Sequence, residues 1–329
     1  MCTALTLKTK QCEVLFGRNL DYVVNINQSV HLIPRKYKWR NGVTDRDEYV
    51  KYAILGMGTL VNTYPYLIDG FNENGLGCAA LYFPRYASYN KNLKEDKINL
   101  SPYDVMLWIL GNFKTVEEVF IAFKDVNIVN VPGLSNDIPN EYHWIVTDRS
   151  GKSIVIEKTK KKLRIYEDNI GILTNSPTFD WQITNLNQYI PLTPNQPSDV
   201  CWSGQKLTPL GQGLGAIGMP GDNTPPSRFV RIAFTKTFLP TPKNEITGVN
   251  EFFNALNVTF EVKGSLVTSD GLYETSLYTS CMNLQKRIYY YNTYDNNRIN
   301  AVIMRNEDLD SKKIIKYPYE NSLDINYQN

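Results

Sequence analysis

Segments of this chain change character in blocks, not in strict alternation, and that order constrains the fold more than any single motif does. Residues 1–85 read mostly as strands and turns, with β-like runs at 3–7, 13–16, 30–34, 52–55 and 77–83. Two helical segments follow, 102–113 behind Ser101 and 116–124 behind Thr115, each with an acidic residue in its first turn. A second β block covers 144–174. Helices are expected again at 181–189, 228–238 and 249–260, and the last quarter returns to strands at 278–284, 287–294 and 299–304. A doubly wound parallel sheet needs strand and helix to take turns, so this order predicts an α+β layered fold. Nothing splits it, and one domain over 1–329 is expected. The polar stretch 191–210 is the longest candidate loop, a place for assembly contacts or substrate access.

Charge and composition exclude several functions. There are 35 basic and 33 acidic residues, spread along the chain, so no field suited to nucleic acid or an anionic membrane is expected. The densest basic run, 158–164, lies between two β-like runs and reads as a solvated hairpin turn. No basic leader precedes an apolar stretch, and no run of about 18 apolar residues occurs, which predicts a soluble, unexported, cytoplasmic protein. Five widely spaced cysteines, without a C-x-x-C pair, make neither a disulfide framework nor a zinc site. Gly213-Leu214-Gly215-Ala216-Ile217-Gly218 matches a dinucleotide fingerprint, but no apolar strand precedes it and no helix opens after it. No cofactor and no metal are expected.

Only two histidines occur, His31 and His143, both in β-like apolar surroundings that read as structural. A hydrolase built on this chain therefore needs a base other than imidazole. Met1-Cys2-Thr3-Ala4 offers one. If Met1 is removed, the thiol of Cys2 shares its residue with a free α-amine whose ordinary pKa of roughly 7.7–8.0 leaves a useful neutral fraction near pH 7. The second β run ends in Gly17-Arg18-Asn19-Leu20-Asp21, and a hairpin would return Arg18 and Asp21 to the side of Cys2. Taken singly, these residues have plainer readings. Arg18 with Asp21 could be an exposed ion pair worth under about 1 kcal/mol, Asn175 a turn residue before Ser176-Pro177, and Arg228 the exposed start of a helix.

Taken together they follow a family pattern. Met1-Cys2-Thr3-Ala4, Phe16-Gly17-Arg18-Asn19-Leu20-Asp21, Asn72-Glu73-Asn74-Gly75-Leu76-Gly77-Cys78 and Leu173-Thr174-Asn175-Ser176-Pro177 resemble the choloylglycine hydrolases. So do Gly218-Met219-Pro220-Gly221-Asp222 with Ser227-Arg228-Phe229, and Tyr289-Tyr290-Tyr291-Asn292-Thr293-Tyr294-Asp295. The family comprises bile salt hydrolases and penicillin V acylases, N-terminal-nucleophile hydrolases of linear amides. The resemblance implies a four-layer αββα sandwich and a small-molecule amide substrate. It implies Cys2 as nucleophile, Asp21 holding the α-amine, Arg18 supporting the thiolate and Arg228 supporting the network. Asn175 and the backbone N–H of residue 82 would serve the oxyanion. It also implies a homo-oligomer, commonly a tetramer, with 191–210 as the candidate contact. Tyr82 stands where bile salt hydrolases usually carry Asn and penicillin V acylases usually carry Tyr. The expected substrate is therefore penicillin V, with glycine- or taurine-conjugated bile acids as the alternative and an N-acyl homoserine lactone or a non-catalytic binding role further off.

Overall fold

The computed structural model describes residues 1–134 and 140–329. In chain order, the strands of its two large sheets are β1 (Cys2–Lys8), β2 (Val14–Tyr22), β3 (Ser29–Ile33), β4 (Ile54–Val61), β5 (Tyr64–Asn72), β6 (Gly77–Tyr82), β7 (Tyr142–Thr147), β8 (Ser153–Lys158), β9 (Leu163–Glu167), β10 (Ile172–Leu173), β11 (Thr275–Asn283), β12 (Ile288–Thr293), β13 (Asn300–Ile303) and β14 (Ile315–Lys316). One sheet has the order β10-β1-β2-β11-β12-β13 and the other β9-β8-β7-β6-β5-β4-β3-β14. Every pairing within the two is antiparallel.

The helices are α1 (Asp104–Asn112), α2 (Val116–Ala122), α3 (Phe179–Asn185), α4 (Pro225–Phe238) and α5 (Glu245–Asn257). The first two pack on the eight-stranded sheet, α4 and α5 on the six-stranded sheet, and α3 on α4. The sheets face each other, which gives the four-layer αββα order the resemblance implied. Between them lies an apolar core that includes Phe16, Phe71, Trp144, Tyr278 and Tyr289, each almost wholly excluded from solvent. No helix of the described residues is long and apolar enough to cross a membrane.

Local chemistry explains where the elements begin. Thr115 accepts the Glu118 N–H at 3.2 Å, and Asn244 with Thr247 forms a reciprocal cap that starts α5 at Glu245, four residues ahead of the expected start. Proline in the first turn of α4 lacks only an N–H that would be unpaired there anyway, so that helix begins at Pro225 instead of 228. The strand β5 goes unseen in the sequence because Pro65, Asp69 and Gly70 interrupt its apolar run. The loop expected at 191–210 contains a small hairpin, Val200–Trp202 with Gln205–Leu207. The basic turn at 159–162 joins β8 to β9 as expected.

The second strand shapes the site. β2 continues unbroken from Val14 to Tyr22, so Arg18 and Asp21, expected at the end of the second β run, lie within a paired strand. Gly17 makes this possible, because a Cβ there would collide with the Ser280 carbonyl of β11. In the β1–β2 ladder Cys2 pairs with Leu20, Thr3 with Asn19 and Ala4 with Arg18. Side chains alternate along a strand, so Cys2 and Arg18 share the face turned to the other sheet, while Thr3 and Asn19 turn to the helices.

Candidate active site

Cys2 opens β1 and is almost fully buried. Its N–H donates to Asn175 Oδ1 at 2.8 Å and its carbonyl accepts from Arg228 Nη1 at 2.6 Å. Arg228 comes from the first turn of α4, and its fork also donates to Thr3 Oγ1 at 2.6 Å, to Asn175 Oδ1 at 2.7 Å and to the Asn223 carbonyl at 3.1 Å. Asp21 and Glu261 oxygens stand 4.0 and 3.8 Å from it. Burial pulls the Arg228 guanidinium below its usual range, against the pull of Asp21 and Glu261. The exposed reading of Arg228 and Asp21 is therefore corrected: both are fully buried.

Two donors converge on Asn175 Oδ1, so its Nδ2 must face the opposite way, where it donates to the Tyr82 carbonyl at 2.6 Å. The turn that carries Asn175 is held from behind. His143 bonds the Thr174 carbonyl through Nε2 at 2.9 Å and Glu157 through Nδ1 at 3.1 Å, and its ring stacks on Phe83. Glu157 also accepts the Phe179 N–H at 3.0 Å, tying α3 to the same post. His143 is thus structural, as expected, yet it braces the residue next to the site. His31 is structural as well; burial pushes its imidazole down to about 4.

Arg18 reaches across the gap between the sheets. Its Nη1 donates to the Ala80 carbonyl at 2.5 Å, its Nε to the Asn19 carbonyl at 3.2 Å, and Nη2 has no hydrogen-bond partner in the protein. Burial works against its charge, but Cys2, Tyr278, Asp69 and Asp21 outweigh this and hold the guanidinium above its usual range. Ala80 and Tyr82 can offer backbone groups because of how β6 is paired. Phe83 N–H bonds the Glu141 carbonyl, so in the β6–β7 ladder Ala80 and Tyr82 turn their N–H and C=O away from β7. On that other side, the β5 register ends at Ala79.

Asp21 Oδ1 accepts from Ser276 Oγ at 2.5 Å, and Oδ2 has no hydrogen-bond partner. Its backbone pairs with Met1: Asp21 N–H to the Met1 carbonyl at 2.9 Å, and the Met1 amine to the Asp21 carbonyl at 2.5 Å. The amine also pairs with Glu274. Burial lowers the affinity of this amine for its proton, although Cys2 and Asp21 favour the charge. The phenol of Tyr82 is half-buried and points to Glu141 Oε2 at 3.4 Å. A narrow cleft over Cys2 is lined by Arg18, Ile26, Ile68, Tyr66, Tyr82 and Tyr142, among others.

All six residues singled out in the sequence therefore meet around Cys2, Tyr82 through its backbone as well as its ring. Asp69, Ser276 and Glu261 were missed. Asp69 did leave a trace, as the lone carboxylate in the apolar run Tyr66-Leu67-Ile68-Asp69-Gly70-Phe71. Among the described residues no group of His, Cys, Asp and Glu could hold a metal ion.

A cysteine opening a central strand of an αββα sandwich, with an asparagine and two buried arginines converging on it, defines an N-terminal-nucleophile type of site. The chain belongs to the linear amide C–N hydrolases of the choloylglycine hydrolase family, whose sequence profile matches residues 2–317. It is a hydrolase of linear amides. It is 49% identical over 330 residues to the bile salt hydrolase/transferase of Clostridium perfringens, covering all of both chains. Its structure is similar to the C2A mutant of the conjugated bile acid hydrolase from Clostridium perfringens, with a TM-score of 0.94, 48% identity and full coverage of both. A penicillin V acylase of Pectobacterium atrosepticum is 29% identical over 71% of this chain and 58% of its own length.

Proposed function

We propose that this protein hydrolyses glycine- or taurine-conjugated bile acids with Cys2 as the N-terminal nucleophile. The observation that carries the substrate is the end-to-end similarity to the Clostridium perfringens bile salt hydrolase/transferase, against a partial match to a penicillin V acylase. This reverses the preference drawn chiefly from Tyr82. The ring of that residue leans toward Glu141, and what Tyr82 offers Asn175 is backbone.

The reaction requires that Met1 be absent, so that its successor carries the free amine. That amine takes the thiol proton, and Sγ attacks the amide carbonyl carbon. Asn175 Nδ2 and the Tyr82 N–H stabilise the oxyanion, each such donor being worth on the order of 3 kcal/mol. The tetrahedral adduct then collapses, its C–N bond breaks, and the glycine or taurine nitrogen leaves with the proton held by the ammonium. Water, deprotonated by the amine, cleaves the acyl thioester and returns the thiol. Arg228 keeps the Asn175 amide from flipping by supplying donors that only Oδ1 can accept. Arg18 supplies a fixed positive charge for the thiolate, and Asp21 faces the amine with an unpartnered oxygen.

The test is hydrolysis of glyco- and tauro-conjugated bile salts and of penicillin V by protein shown by N-terminal mass analysis to start at Cys2. Bile salts are expected to be cleaved with the higher kcat/KM, and Cys2→Ala is expected to abolish turnover without unfolding the chain. A preference for penicillin V would establish the second reading, which the tyrosine-lined cleft favours; Tyr82→Asn should then shift the ratio toward bile salts. We also propose that the protein is a homo-oligomer, a tetramer by family likeness. Exposed Trp202, Leu210 and Ile217 on one loop support this, and sedimentation of a Trp202→Ser variant tests it.

A further inference from the structure

Asp69 takes no part in that mechanism, yet it lies fully buried in β5, in the layer between the sheets. Its two oxygens are each satisfied by a neutral donor from the opposite sheet: Tyr278 hydroxyl to Oδ2 at 2.6 Å, and Tyr289 hydroxyl to Oδ1 at 2.5 Å. Both tyrosines are fully buried, and burial pushes both phenols well above their usual range, so they donate and do not compete for charge.

Its strand partner is Ala79, and the next carbonyl, that of Ala80, is the one that receives Arg18 Nη1. Asp69 is thus a near neighbour of Arg18. Among the described residues, however, no carboxylate stands within 4.0 Å of that guanidinium, unlike the other buried arginine of the site. A direct bidentate pair would have been the ordinary way to bury both charges. The tyrosines instead fix the carboxylate apart from the cation, leaving Nη2 unpartnered.

We propose that Asp69, held by Tyr278 and Tyr289, is a positioning residue: a counter-charge kept out of contact, which balances Arg18 while leaving part of its field for the Cys2 thiolate. This rests on the reading of Cys2 as nucleophile. The charged or titrating groups that face this pair are Cys2 on β1, Asp21 on β2, Tyr66 on β5, Cys78 on β6, Tyr278 on β11, Tyr289 on β12 and the terminal amine. Asp69 is the one carboxylate among them that touches neither the backbone of β1 nor Arg228. Burial raises the carboxyl of Asp69, and Arg18 with the hydroxyls of Tyr278, Tyr289 and Ser280 works against this without reversing it.

The experiment is the pH dependence of Cys2 alkylation by iodoacetamide in protein that starts at Cys2, beside kcat/KM against pH. Asp69→Asn keeps the shape and removes the charge, so Arg18 acts on the thiol unopposed. Its acid limb is expected to move to lower pH by about one unit, a tenfold gain in alkylation rate below the limb. In an Arg18→Leu background the same change should leave the limb in place. If Asp69→Asn does not fold, Tyr289→Phe, which weakens the charged form of Asp69, should move the limb in the same direction by less. A limb that stays put in the single variant, or that moves equally with and without Arg18, overturns the proposal. Turnover that survives Cys2→Ala would instead remove the nucleophile reading, and this inference with it.

Discussion

Two arginines reach Cys2 from opposite faces of the same sheet, and the sheet treats them differently. On the helix side, Arg228 is saturated: its fork holds the Cys2 carbonyl, Thr3, Asn175 and the Asn223 carbonyl, with Asp21 and Glu261 close by. On the side facing the other sheet, Arg18 makes two backbone contacts and leaves one nitrogen unpartnered. Both are fully buried. The difference separates two uses of a buried cation. One spends its charge and donors on fixing geometry; the other, in the mechanism proposed above, keeps its charge for a group that becomes negative only during the reaction.

Substitutions should break this symmetry in a set order. Arg228→Met is expected to have the largest effect, because it leaves Asn175 Oδ1 with one donor fewer and removes the guanidinium that stands 4.0 and 3.8 Å from Asp21 and Glu261. Activity should be undetectable, and stability should fall by about 3–5 kcal/mol, the usual cost of uncovering buried charge, read by urea denaturation. Arg18→Leu should lower kcat/KM at neutral pH by about 10- to 1000-fold, the effect of one to three pKa units from a nearby cation, with a smaller fall in the denaturation midpoint than Arg228→Met. If Arg18→Leu unfolds the protein as readily as Arg228→Met, the contrast between the two cations is wrong.

Asn175→Ala follows, with a fall in kcat of about 100- to 1000-fold and a smaller change in KM, since its Nδ2 is assigned to the oxyanion. Ser276→Ala should be the mildest. It removes one hydrogen bond to Asp21 and costs about 1–2 kcal/mol, visible as a lowered denaturation midpoint and a kcat within roughly tenfold of the parent. A larger loss from Ser276 than from Asn175 would place the amine clamp, not the oxyanion, at the centre of the site.

Much of this could be read from residues alone. The block order of strands and helices predicts α+β layers, and Thr115 marks the start of its helix. The poverty of histidine points toward an amine base, and the motifs around Cys2, Arg18, Asn175 and Arg228 carry the family. What went unread has particular causes. Pro65 and Gly70 hide β5, and with it Asp69, because period-two patterning fails where a strand is buried on both faces. Ser276 and Glu261 are ordinary polar residues whose importance lies in what stands beside them. Tyr82 was weighed in the sequence for its side chain, whereas its backbone carbonyl is what meets Asn175.

The sequence by itself determined the candidate nucleophile, the layered class and the family, since those depend on local patterns and on which residue types are present at all. Only the tertiary structure decided which face of β1 each charge occupies and which cation is spent on geometry. Those assignments rest on hydrogen bonds between residues as far apart as Cys2 and Arg228, 226 positions along the chain. Strand parity and the close approach at Gly17 fix them, and neither has a signature in the residues it brings together.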